Sequence, residues 1–86
     1  DVVPTIVALR AKITDIVDGE LQKTLHSLAD LKLENRQALE RMAASIVKKI
    51  LHDPTLYLKA ESCRHDERSD DSIGLDITRK LFKIDE

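Results

Sequence analysis

Aromatic side chains are nearly missing from this 86-residue chain, which has one Tyr, one Phe and no Trp. Sheets draw on aromatic and β-branched residues, so the shortage argues against a strand-built fold. Only two Gly and two Pro interrupt the chain, and few breakers fit packed helices. The single cysteine, Cys63, excludes an intrachain disulfide and fits a reducing compartment. Charge of one sign is also missing: 14 Lys and Arg stand against 16 Asp and Glu, a formal net charge of -2. That balance gives no general reason to expect nucleic acid or an anionic membrane as partner. No apolar run approaches the roughly 20 residues of a membrane span, and no secretory leader pattern is present. A soluble, cytoplasmic chain is expected. It starts at Asp1 without a methionine, which reads as a piece of a longer protein.

What is present is helical periodicity. Hydrophobic residues make up 42% of the chain and charged ones 35%, the balance of amphipathic helices packed against one another. A first helix is predicted over about residues 4–29, with Pro4 suited to its first turn. Ile6, Leu9, Ile13, Ile16, Val17, Leu21, Leu25 and Leu28 fall on one broad face, with Lys12, Asp15, Asp18 and Gln22 opposite. Gly19 inside this helix should weaken it by up to about 1 kcal/mol relative to Ala, so a close neighbour or a bend is expected there. "ADLKLEN" breaks the pattern, with Asp30 or Asn35 as candidate caps. A second helix follows over about residues 34–52, with Leu39, Met42, Ala43, Ile46, Val47, Ile50 and Leu51 on one face.

Asp53-Pro54 then reads as a corner. Asp is a good N-cap and Pro a good first-turn residue, and Pro disfavours helical geometry at the residue before it. The expectation is a helix ending near His52, whose ring would meet the last carbonyls, and a new one over about residues 54–61. "ESCRHDERSDDS" is polar and mixed in charge, so a loop is predicted over residues 62–70. A last helix is predicted over about residues 71–84, capped by Asp70, Asp71 or Ser72. It carries Ile73, Ile77, Leu81 and Ile84 on one side, with Leu75 and Phe82 on another. The fold class is thus all-α: one small antiparallel bundle of three to four helices.

The two long helices have faces too wide to cover each other, and 86 residues are few for a self-sufficient core. A second copy in a two-fold homodimer would complete the bundle. Leu9, Arg10, Ile13, Ile16, Glu20, Leu39, Ala43, Ile46 and Ile50 are the expected buried seams, intrachain or between copies. Arg10 and Glu20 intrude into the apolar arc of the first helix. Ten residues, or about 15 Å, separate them, so they cannot pair within one helix. Either Arg10 of one copy meets Glu20 of the other in an antiparallel crossing, or both reach solvent at the rim of the face.

Several stretches together resemble one family. "VVPTIVALR", Glu20-Leu21, Arg36, "LERMAASIVKKILHDPTLYLK" and Leu81-Phe82 are similar to the C-terminal dimerisation domain of glutamyl-tRNA reductases. The most telling pattern is P-T-I-x-x-L-R, then I-V-x-x-x-L-H-x-P and L-K. The sequence departs at Lys32 or Leu33, where a capping Ser is expected, and at Asp53, where Gly is common. The resemblance implies a parent enzyme that uses NADPH to reduce glutamyl-tRNA to glutamate-1-semialdehyde, at the start of tetrapyrrole synthesis. It also implies a nucleophilic cysteine and a nucleotide-binding domain elsewhere in that parent, and a dimer-forming role for this part. No catalytic, cofactor-binding or metal residue is carried over, and Cys63 does not match the nucleophile.

Three other readings are weighed against a homodimer module. A bundle that docks a different protein would show the same apolar faces. Direct contact with tRNA is not expected, because the basic set Lys48, Lys49, Lys59, Arg64 and Arg68 is loose and has no aromatic platform beside it. His26, His52, Cys63 and His65 lack the short repeated spacings of a zinc site.

Overall fold

The computed structural model describes residues 2–63 and 73–84. They form three helices, α1 (Val3–Ser27), α2 (Leu33–Cys63) and α3 (Ile73–Phe82), with no strand among the described residues. The caps expected at Asp70, Asp71 and Ser72, and residues 64–70 of the expected loop, lie outside the described residues.

α1 starts with Pro4 in its first turn, where the missing N–H leaves no helical carbonyl unserved. It stops two residues earlier than the periodicity predicts, and the Leu28 N–H closes its last turn on the Leu25 carbonyl. The chain reverses over residues 28–32 with Asp30 at φ 57°, a left-handed conformation that Asp tolerates better than most residues. Asn35 is not a cap, because α2 has already begun at Leu33.

The expected corner at Asp53-Pro54 is not there. α2 runs unbroken for 31 residues with Pro54 inside it, a rod of about 46 Å. Pro54 has no N–H to offer the Ile50 carbonyl, and its ring crowds that group. Continuity prevails because Leu51 and Leu58, seven residues apart on one stripe, are both buried in the same core, Leu58 fully. A break between them would send Leu58 elsewhere. It also follows that His52 does not sit at a helix end, and that Glu61, Ser62 and Cys63 are helical.

Val2, Leu9, Ile13, Leu51 and Leu58 form this core, with Ile6, Val17, Val47, Leu75, Phe82 and Ile84 packed around it. The core therefore sits where the start of α1, the second half of α2 and α3 meet. Gly74 lets α3 lie close to α2, since a Cβ there would stand 2.9 Å from the Tyr57 hydroxyl and 3.2 Å from Glu61 Cγ. Arg79 Nε donates to Thr5 Oγ1 at 3.0 Å, tying α3 to α1. α3 ends in a Schellman turn: Lys83 takes φ 54°, its N–H meets the Lys80 carbonyl, and the Ile84 N–H meets that of Arg79. Gly19 is exposed, and a Cβ there would meet nothing within 4 Å, so no neighbour among the described residues explains it.

Candidate functional site

Away from α3 the α1–α2 pair is only two helices thick, and its apolar surface is left uncovered. A groove of about 250 Å³ opens there between Ile16, Glu20 and Thr24 of α1 and Leu39, Met42 and Ile46 of α2. Val17, Leu21 and Ala43 form its floor, since they also line the depression on the other side of the pair. Large apolar side chains stand open to solvent: Ile16 is 54% exposed, Met42 52%, Ile46 40% and Ile50 46%. A contiguous apolar surface of this kind marks an interaction site.

Helical spacing relates the groove to α3. From Ile46 and Ile50, steps of three or four residues along α2 lead past Pro54 to Tyr57 and Glu61, which flank Gly74 of α3. On α1 the same steps run from Glu20 and Ile16 back to Thr5, the partner of Arg79. α3 thus lies on the same side of the pair as the groove, covering one end and leaving the other open. α3 itself turns Leu75 and Phe82 to the core and leaves Ile73, Ile77 and Leu81 exposed.

The residues expected in the buried seams divide accordingly. Leu9, Ile13 and Ala43 are buried within the chain. Leu39 is half-buried at the groove wall, Ile16 and Ile46 are exposed along it, and Ile50 is exposed one helical turn beyond Ile46. Glu20 lies at the groove edge, where it pairs with Lys23 at 2.9 Å on the exposed surface. Arg10 is on the opposite flank, in a depression lined by Lys48, His52 and Lys59. The two charges therefore sit on different flanks of the pair.

Among the described residues the histidines and the cysteine do not converge. His26 sits at the end of α1 with Nδ1 2.9 Å from the Gln22 carbonyl, Cys63 is exposed at the end of α2, and His65 lies outside the described residues. Among the described residues no group of His, Cys, Asp and Glu could hold a metal ion. No described helix is long and apolar enough to cross a membrane. The feature with interaction character is a surface.

Comparison with known proteins assigns the chain a family. The model of the glutamyl-tRNAGlu reductase dimerisation domain matches residues 1–84. The chain belongs to this family. It is 42% identical over 81 residues to the glutamyl-tRNA reductase of Desulfotalea psychrophila, covering 94% of this chain and 18% of that protein. With the glutamyl-tRNA reductase of Syntrophobacter fumaroxidans it shares 43% identity over 84 residues, 98% of this chain and 17% of the relative. With that of Geobacter sulfurreducens it shares 40% over 84 residues, 98% and 18% respectively. The chain thus spans less than a fifth of the length of these curated relatives. No solved structure matches it. As a dimerisation domain it has the all-helical fold expected, and the sequence resemblance extends through the described helices.

Proposed function

We propose that this chain joins two protomers of a glutamyl-tRNA reductase by meeting a second copy of itself across the open side of the α1–α2 pair. Ile16, Leu39, Met42, Ile46 and Ile50 would form the seam, with the exposed α3 stripe Ile73, Ile77 and Leu81 extending it. The observation that carries this reading is the apolar groove, closed at one end by α3 and open at the other.

The chemistry of the parent enzyme lies outside this chain on this reading: reduction of glutamyl-tRNA to glutamate-1-semialdehyde with hydride from NADPH, in the cytoplasm. The residues present do not fit the dinucleotide, because both glycines, Gly19 and Gly74, lie inside helices. A pyrophosphate cradle needs a glycine-rich turn between a strand and a helix. No catalytic role is assigned to Cys63 or to any other residue of the chain.

Sedimentation equilibrium over a dilution series tests the proposal, on the wild type, Ile46→Asp and Ile13→Asp. The wild type should have about twice its 9.7 kDa mass. Ile46→Asp should be a folded monomer by circular dichroism, since the site is exposed in one chain and buried only in the pair. Ile13→Asp should lose helix as well, because Ile13 belongs to the intrachain core. A folded wild-type monomer at high micromolar concentration would sink the reading, as would an Ile46→Asp dimer of undiminished affinity.

A further inference from the structure

The flank of the α1–α2 pair away from the apolar groove carries a second depression, of about 430 Å³. Arg10 and Thr14 of α1 face Lys48, His52, Thr55 and Lys59 of α2 across it, over a floor that includes Val47 and Leu51. Among the described residues no Asp or Glu lines it. The ion pairs Glu20–Lys23, Glu40–Arg36 and Asp76–Lys80 lie elsewhere. Arg10, Lys48 and Lys59 make no ion pair with any described carboxylate.

Along α2, Lys48, His52, Thr55 and Lys59 follow one another at spacings of four, three and four, so they share one stripe. That alignment exists because α2 continues through Pro54. A corner at Asp53 would have sent Lys59 away from His52. Lys48 and Lys59 are eleven residues apart, about 16 Å along the axis. Arg10, His52 and Lys59 are all exposed, so core packing does not account for them.

Cations gathered without a counter-charge repel one another, and the floor would pack as well beneath neutral side chains. An anion removes that repulsion. The guanidinium of Arg10 offers paired donors to an oxyanion, the lysines offer mobile point charges, and the threonine hydroxyls offer short-range donors. The depression has the size of a small-ligand site. Its charged length exceeds one phosphate and suits several in a row. No aromatic side chain lines it for stacking a base. We propose that Arg10, Lys48, His52 and Lys59 form a binding groove for the polyphosphate group of a small molecule. The groove lies away from the proposed dimer seam, so this inference does not rest on the dimer.

Isothermal titration calorimetry of the chain with inorganic tripolyphosphate tests this, with orthophosphate and a short RNA duplex as comparison ligands. Tripolyphosphate should bind at low salt, more tightly than orthophosphate, and less well at 0.15 M salt. Arg10→Gln and Lys59→Gln should each weaken it about tenfold, the value of one charge-assisted contact. Lys23→Gln, a cation outside the groove, should leave it unchanged. All three positions are exposed, so circular dichroism should show the wild-type fold. Absence of binding at low salt would overturn the proposal, as would equal weakening in Lys23→Gln and the groove variants. Tighter binding of the RNA duplex, lost in Arg10→Gln and Lys59→Gln, would also overturn it and give the groove to a nucleic-acid backbone.

Discussion

Arg79 and Thr5 are 74 residues apart in sequence and joined by a 3.0 Å hydrogen bond in which the guanidinium Nε donates to the hydroxyl oxygen. Thr5 is 1% exposed, so the contact lies in the layer where α3 covers the beginning of α1. Replacing Thr5 with Val keeps the volume and removes the acceptor. A double-mutant cycle of Thr5→Val with Arg79→Gln, followed by urea denaturation, should give a coupling of about 1 kcal/mol. Additive effects would mean the bond contributes nothing to holding α3.

Pro54→Ala should stabilise the chain. In the interior of a helix Pro costs about 3 kcal/mol relative to Ala, and an alanine there would return an N–H to the Ile50 carbonyl. Some packing by the half-buried ring is lost, so a net gain of about 1–2 kcal/mol is expected, a rise of roughly 5–15 °C in Tm for a domain of this size. A fall in Tm would mean that the proline makes a turn instead of interrupting a helix.

Leu58→Ala should come close to unfolding the chain. Leu58 is fully buried, truncation at such a site costs about 2–5 kcal/mol, and a domain of this length has about 4–13 kcal/mol in all. The denaturation midpoint should drop accordingly. Leu56→Ala, two residues away but exposed, should stay within about 0.5 kcal/mol of wild type.

Lys83→Gly should raise stability by about 0.5–1 kcal/mol. Lys83 holds φ 54° at the turn that ends α3, a conformation that strains a side-chain-bearing residue and suits glycine. Both hydrogen bonds of that turn are made by backbone, so they survive the substitution. Thermal unfolding measures the gain.

Periodicity made the helices legible before any coordinates. Ile6, Leu9, Ile13 and Val17 mark the inner face of α1, and Ala43, Val47 and Leu51 that of α2, as their burial confirms. Asp53-Pro54 misled because local rules rank a cap and a first-turn proline above continuity. They do not contain the burial of Leu58 on the far side. Arg10 and Glu20 share the apolar arc on a flat projection of α1. The contact of α1 with α2 drifts around the helix, however, so that one charge emerges on each flank. The side of α3 that faces inward was equally hidden, since Leu75 with Phe82 and Ile73 with Ile77 make stripes of similar strength, and only the approach at Gly74 decides between them.

Val2 and Ile84 pack around the same core, so both ends of the described chain meet one cluster, and the reversal at residues 28–32 is at the other end of a body 58 Å long. The order of the helices along the chain is therefore separable from their arrangement in space. A circular permutant with the old ends joined by a short flexible linker and new ones opened at residues 28–32 keeps every core contact. It surrenders only a turn whose residues are exposed but for Leu31.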